Sequence, residues 1–394
     1  MTDFIPFALP DIGDGEIEAV VAAMRSGWLT TGPNAAALER EFVEAMSPGA
    51  HVGDTQVQAV AVNSATAGLH LALEALGIGS GDEVLVPTWT FTATAEVVRY
   101  LGATPILVDV HPDTLAIDLH RAAEAVTERT RAVMPVHFAG LPVPRGALAE
   151  FAARYGLHVV EDAAHSHPVD SEGMPVGLGA SDAVVFSFYA TKTMTSGEGG
   201  MVVSANPDLV SRMRTMRLHG ISRDVFNRYT STAPSWHYEV VAPGFKYNLT
   251  DVAASMARVQ LGRSVAMRER RSAIATHYDQ ALAGLPVALP ARPAGPGTQH
   301  AWHLYVLRLT DEAPVTRDEF IQRMADAGVG CSVHFIPLHH HPYWRDLRGP
   351  LAPPLPVADA QFERAVSIPI FSSMTDDQVS RVAETVRTVL EGSR

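Results

Sequence analysis

Cysteine is almost missing from this 394-residue chain, which carries only Cys331. An internal disulfide and a cysteine-based metal cluster are thereby excluded, and the usage suits a reducing compartment. Basic charge is also short: 30 Lys and Arg face 43 Asp and Glu, for a net charge of −13. No basic run is longer than Arg268-Glu269-Arg270-Arg271. That balance opposes binding to a phosphate backbone, so no nucleic-acid partner is expected. The opening residues, MTDFIPFALPDIGDG, lack the basic start and apolar core of a signal peptide. The most apolar stretch, 59–79, is broken by Asn63, His70 and Glu74, which argues against a transmembrane helix. Internal repeats and low-complexity blocks are missing too. What remains is an ordinary globular balance, 47% apolar and 19% charged, with ample material for a core. The expectation is a cytoplasmic, enzyme-sized protein with no membrane partner.

Between about 58 and 205, short apolar runs alternate with longer amphipathic ones. QAVAV (58–62) precedes ATAGLHLALEAL (65–76), and EVLVP (83–87) precedes TATAEVVRYL (92–101). PILVDV (105–110) leads to DLHRAAEAVTERT (118–130), AVMPV (132–136) to ALAEFAARYG (147–156), and LHVVED (157–162) follows. Two more strands are expected at AVVFSF (183–188) and MVVSA (201–205). Strands spaced by such helices imply βαβ units and a mostly parallel sheet covered on both faces. After about 250 the pattern changes. A helix over roughly 250–284 leads to the Pro/Gly-rich connection LPVALPARPAGPG (285–297). Strands are then expected at 301–309 and 329–337, and helices at 316–328 and 375–392. The division falls near 255: a large α/β domain over 1–255, a smaller α+β domain over 256–394.

Ligands collect at the carboxyl ends of strands in such a sheet. Three signals stand there. Asn63-Ser64-Ala65-Thr66-Ala67-Gly68 follows a strand and opens a helix, whose free N–H groups and hydroxyls make a phosphate seat. Alone this is no more than a helix cap. Glu161-Asp162-Ala163-Ala164-His165 puts acids at another strand end. A third strand delivers Ser187 and then Phe188-Tyr189-Ala190-Thr191-Lys192, before the glycine-rich Gly197-Glu198-Gly199-Gly200. A lysine just past a buried strand loses water, which lowers its pKa and makes it a nucleophile toward carbonyls. A phosphate seat, a carboxylate and a lysine at adjacent strand ends are what pyridoxal phosphate requires.

The chain resembles the DegT, DnrJ, EryC and StrS family of fold-type I, pyridoxal-phosphate-dependent sugar aminotransferases. Its look is nearest the branch that forms 4-amino-4-deoxy-L-arabinose nucleotides. The likeness runs from Ile5-Pro6-Phe7 to Ser367-Ile368-Pro369-Ile370-Phe371 through NSATAGLHLAL, GDEVLVPTWTFTATA, VDVHPDTLAIDL, PVHFAG, VEDAAHS, FSFYATKTMTSGEGG, PGFKYNLTD, HAWHLYVLRL and HFIPLHHHPYW. The resemblance implies that Lys192 holds the cofactor (pyridoxal or pyridoxamine phosphate) and acts as the catalytic acid and base. It implies that Asp162 pairs with the pyridine nitrogen and that Thr66, Ala67 and Ser187 contact the phosphate. Phe91 would stack on the ring, with Trp89 the second choice, and His165 would stand near the ring hydroxyl. Asn248 would reach the phosphate of the other subunit, which makes the protein a homodimer with shared sites. His334 and His339 would belong to a substrate-facing loop. Two departures are His167-Pro168 beyond the aspartate and Leu249 where the family often has Arg.

The histidine run His339-His340-His341 tempts a metal reading, but no acidic or cysteine partner stands at ligand spacing, and no metal is expected. The implied reaction moves an amino group from L-glutamate to a keto-sugar nucleotide, with C4 favoured over C3. A pyridoxamine-dependent sugar dehydratase is disfavoured by Lys192. A desulfurase is disfavoured by the placing of Cys331 in an expected strand. A cofactor-binding regulator remains the non-enzymatic alternative.

Overall fold

Runs of Val, Ala and Ile that are apolar on both sides make strands buried on both faces. In the computed structural model, which describes residues 4–179, 181–221 and 238–391, seven of them pair into one sheet. They are β1 (Gln58–Val62), β2 (Glu83–Pro87), β3 (Thr104–Val108), β4 (Thr130–Val133), β5 (His158–Asp162), β6 (Ala183–Ser187) and β7 (Gly200–Ser204). Their order is β1-β7-β6-β5-β4-β2-β3. Only β7 runs antiparallel, against both β1 and β6. The fold is therefore the mostly parallel α/β sheet expected of fold type I.

Two helices, α1 (Asp14–Arg25) and α2 (Pro33–Met46), precede the sheet. Between its strands come α3 (Ala65–Ala75), α4 (Ala93–Tyr100), α5 (Leu119–Glu124) and α6 (Arg145–Tyr155), and α7 (Pro207–Met216) follows. Side chains alternate between the two covered faces, as the two-residue period requires. Val60, Val62, Val185 and Val202 pack with α3, α4 and α7, including the buried Met213 and Met216. Ala59, Ala61, Val184, Phe186 and Val203 pack on the opposite side with α2 and with α8 (Asp251–Ala281). Asp251 ties those last two helices together. Its buried carboxylate accepts from the N–H groups of Gly32, Asn34 and Ala35, satisfying the free donors at the start of α2.

A second sheet of three antiparallel strands, β8 (Val287–Ala288), β9 (Tyr305–Leu309) and β10 (Ala365–Ile368), has its own core. Beside it lies α9 (Arg317–Asp326); α10 (Pro342–Arg348) instead packs its Trp344 into the core of the large sheet, and α11 (Pro356–Phe362) and α12 (Asp376–Glu391) return to the small one. Helix α8 serves both cores: Ala254 and Leu261 pack at one end, Ile274 and Tyr278 at the other. Residue 255 thus lies inside one continuous helix. No helix among the described residues is long and apolar enough to cross a membrane.

The expected elements change in several places. Segment 329–337 is not a strand. It makes only the isolated bridges Ile5–Val329 and Ser332–Ser367, because its later backbone turns to the large sheet. There the His334 carbonyl accepts from Trp89 Nε1, and Leu338 N–H donates to the Thr88 carbonyl. Helix α5 stops at Glu124 rather than 130, where Thr130 Oγ1 accepts from Thr127 N–H and closes a turn. The strand expected from 301 begins at Tyr305, since Ala301 N–H donates to Gly140 and Trp302 N–H to the His300 ring. Gly392, at the end of the last expected helix, lies outside the described residues.

Candidate active site

The carboxyl ends of β1, β2, β5 and β6 lie on one edge of the sheet, and β7 starts there. Ser187 is in register with Gly200, and Gly200 with Val62, the residue before Asn63-Ser64. This row puts Ser187 two strands from the start of α3. Ser64 caps that helix, its hydroxyl accepting from Ala67 N–H at 3.1 Å. Two glycines let the helix start sit low on the sheet. A Cβ on Gly68 would meet Val185 Cγ1 at 2.8 Å. One on Gly200 would meet the Phe186 carbonyl oxygen at 2.8 Å and Ala65 N at 2.9 Å. With Thr66 and Ala67 in its first turn, this is a cradle of the kind a phosphate takes.

Asp162 ends β5 and is buried, 6% exposed. Its Oδ2 accepts from Thr94 Oγ1 at 2.9 Å and its Oδ1 from Ala164 N–H at 3.1 Å. Burial pushes this carboxyl's pKa up; the two hydrogen bonds and the charge of Lys192 oppose that rise. A buried carboxylate held by two donors favours a cationic group beside it, and a protonated pyridine nitrogen fits. Burial lowers the Lys192 ammonium to about 8, with Asp162 pulling the other way. The other lysine in the sequence, Lys246, is exposed.

His165 is buried, and its Nδ1 accepts from Ala139 N–H at 3.2 Å. The neutral ring therefore carries its proton on Nε2, ready to donate to an oxygen such as the ring hydroxyl. Burial holds its pKa well below the ordinary range, and the Lys192 charge adds to this. The same charge depresses His303 and His334; the His303 ring lies 4.3 Å from that of His165, and the His165 and His334 rings lie 5.9 and 5.2 Å from that of Phe335. His334 is pushed down to about 4 by burial and Lys192; it stacks on Phe7 and its Nδ1 lies 3.0 Å from Ser367 Oγ.

Phe91 is 59% exposed and lies 6.0 Å from the Phe335 ring. Both line a cavity of about 940 Å³ with Arg99, Tyr100, Tyr343 and Trp344. Trp89, the second choice for stacking, is fully buried and spends its indole N–H on His334, so Phe91 is the exposed ring of the pair. His339 does not face this space with a free nitrogen. Its Nδ1 is 2.7 Å from Thr88 Oγ1 and its Nε2 2.8 Å from Asp359 Oδ1. Asp359 also corrects the sequence reading that no acidic partner stands near the histidine run. Helix α11 brings it there from about 20 residues away in sequence, beyond any local spacing rule. Asn248 bridges Val62 through its backbone and donates Nδ2 to Thr31 Oγ1 at 2.7 Å within its own chain. His167 stacks on Phe42, inside the core rather than in the site wall, and Leu249 is likewise buried.

Sequence reasoning missed three residues. Thr94 orients the aspartate; the signal was a hydroxyl in the TATA run after Phe91. His303 lies with its ring 4.3 Å from that of His165 and its buried Nδ1 unpartnered. His137 lies with Nε2 2.8 Å from Glu161 Oε2, and its backbone N–H donates to the Asp162 carbonyl. Burial raises the Glu161 pKa, but His137 and Ser181 outweigh it and hold Glu161 charged behind the aspartate.

The DegT/DnrJ/EryC1/StrS aminotransferase family model matches residues 10–387. Over 392 residues the chain is 42% identical to the spore coat polysaccharide biosynthesis protein SpsC of Bacillus subtilis (strain 168), covering 99% of this chain and 98% of that one. Among solved structures, the putative sugar aminotransferase Spr1654 of Streptococcus pneumoniae in its PMP form is similar at 33% identity and a TM-score of 0.88. That match covers 98% of this chain and 99% of the other. The PLP form of the same protein matches at 33% identity and a TM-score of 0.87, with the same coverage.

Proposed function

The chain belongs to the DegT/DnrJ/EryC1/StrS aminotransferase family and is a pyridoxal-phosphate-dependent sugar aminotransferase; from there we propose that it moves an amino group from L-glutamate to a 4-keto-sugar nucleotide. The observation that carries this reading is that Asp162, His165 and Lys192 lie at or just past the ends of the paired strands β5 and β6, with the His165 ring 5.9 Å from Phe335, which lines the aromatic cavity of about 940 Å³.

When bound, pyridoxal phosphate supplies an electron sink that stabilises a carbanion next to nitrogen. In this reading the chain does the rest. The start of α3 and Ser187 hold the phosphate. Asp162, held by Thr94 and Ala164, would pair with the pyridine nitrogen and keep it protonated. His165 would donate Nε2–H to the ring hydroxyl, and Phe91 would cover a ring face. Lys192, as the neutral amine, would take up the proton that leaves the donor's α-carbon and deliver it two bonds away, across the intervening nitrogen. It repeats the exchange in reverse on the sugar, so the kinetics are ping-pong.

The cavity suits a nucleotide because Phe91, Tyr100 and Tyr343 offer exposed rings for stacking and Arg99 a cation near them. His334 would contact the sugar. His339 would not reach the sugar with a free nitrogen, since both its ring nitrogens are engaged within the chain. Asn248 would reach the phosphate of a second subunit, with one Nδ2 hydrogen on Thr31 and the other left for that contact. We further propose that the protein is a homodimer in the cytoplasm. The test is a panel of 3-keto and 4-keto sugars on UDP, dTDP and GDP with glutamate, read by mass. Amination of a 4-keto-sugar nucleotide supports the reading; amination of 3-keto substrates only, or of free sugars only, overturns it.

A further inference from the structure

We propose that His339, His340 and Asp359 form a binding site for a divalent transition metal, outside the cofactor pocket. The Nε2 atoms of His339 and His340 both point at one oxygen, Asp359 Oδ1, at 2.8 and 2.7 Å. The ligand atoms of these three residues lie within 4.8 Å of one another. A tetrahedral zinc ion with bonds of ~2.0–2.2 Å separates its ligands by roughly 3.3 Å, so small rotations of the imidazoles admit the ion.

Three features go beyond the chance meeting of two histidines and an acid. First, the ligands come from two different elements. His339 and His340 stand in the turn 338–340, and Asp359 stands on α11, so the ion would bridge them. Second, His339 is already oriented from behind. Its Nδ1 is 2.7 Å from Thr88 Oγ1. A hydroxyl both donates and accepts, so Thr88 supports the present tautomer and also the Nδ1–H tautomer that frees Nε2 for a metal. Third, α11 is itself fixed: the Asp109 carboxylate accepts from the N–H groups of Val357 and Ala358 at 2.9 Å each. The third ligand is thus presented by an anchored helix start.

The donor set selects the ion. Two neutral imidazoles and one carboxylate suit Zn²⁺, Co²⁺, Ni²⁺ or Cu²⁺ and not Mg²⁺ or Ca²⁺, which prefer oxygen ligands. The His339 side chain is 10% exposed, that of His340 31% and that of Asp359 51%, which leaves a solvent-facing position for a water. Binding clamps the histidine turn onto α11. The Leu338 N–H to Thr88 carbonyl bond passes the clamp to the end of β2, which carries Thr90 and Phe91 into the cavity wall. The ion's role is structural, and the amino transfer does not pass through it.

The test uses untagged, cofactor-loaded protein titrated with Co²⁺ and then with competing Zn²⁺. Expected are d–d absorption bands that saturate at a single equivalent per chain, lost on adding Zn²⁺, and a rise in melting temperature with Zn²⁺. His340→Gln, a part-exposed position outside the cofactor site, should weaken binding by about tenfold or more, remove the melting shift and leave transamination unchanged. Asp359→Asn should weaken binding likewise. Saturation at the same equivalent and affinity in His340→Gln, or the lack of any band in the wild type, overturns the proposal.

Discussion

Thr94 on α4 donates its hydroxyl hydrogen to the Asp162 carboxylate at the end of β5, 2.9 Å away, and neither residue is open to water. Thr90 Oγ1 lies 2.8 Å behind Thr94, so the donor is itself held. Burial alone would favour the neutral acid, and this bond is the largest of the interactions that oppose it. A hydrogen bond to a charged group contributes about 1.5–3 kcal/mol, so Thr94→Val should lower kcat by about ten- to a hundred-fold. Cofactor affinity should fall less, because the phosphate seat is untouched. Steady-state kinetics beside a cofactor titration check the split; an unchanged kcat would leave Thr94 a packing residue.

Asp162→Asn goes further along the same line. The amide keeps the shape and much of the cofactor affinity but cannot hold the pyridine nitrogen protonated. By comparison with carboxylates that fix a proton on a ring nitrogen in other enzymes, a loss of ~10⁴ in rate is expected. Activity close to wild type would mean that Asp162 is only a turn residue.

Lys192 gives a prediction in pH. Burial lowers its pKa from 10.5 to about 8, and capture of pyridoxal phosphate needs the neutral amine. As pH rises toward that value the neutral fraction grows, so the rate of covalent capture by cofactor-free protein should climb and level off above about 8. A rate still rising near 10 would mean an ordinary, solvated lysine. Borohydride reduction and peptide mapping should place the label on Lys192; a label on Lys246 contradicts the assignment. Lys192→Ala should have no turnover, as Lys246 is exposed and belongs to another segment.

The shared site is tested by mixing. Inactive Lys192→Ala subunits and inactive Asn248→Asp subunits are combined, with exchange verified by tagged pull-down. In a mixed dimer one site carries both lesions and the other carries neither, so about half of its sites should work. Confirmed exchange without activity would mean that Asn248 serves no partner.

How much of this could be read from the sequence depends on the range of the contacts involved. The sheet was legible because QAVAV, EVLVP and AVVFS are buried on both faces and strongly apolar. The placing of Lys192, Asp162, Ser187 and the α3 start at one edge was legible because each ends such a strand or stands within a few residues of its end. Thr94 was not, since its role is fixed by where α4 crosses β5, a tertiary fact. The histidine run misled for the same reason. Spacing rules search nearby residues, while Asp359 arrives on a helix that the apolar pattern did not mark. Segment 329–337 reads as a strand by composition, but its backbone bonds are split among Ile5, Ser367 and the Trp89 indole, so no continuous ladder forms.

The most direct measurement is a half-reaction. Holoenzyme is mixed with L-glutamate and no sugar, and cofactor absorbance and 2-oxoglutarate are followed together. The account predicts bleaching of the cofactor band with an equal amount of 2-oxoglutarate released, and return of the band when a 4-keto-sugar nucleotide is added. A band that glutamate leaves unchanged, or that bleaches as fast in Lys192→Ala, would contradict it.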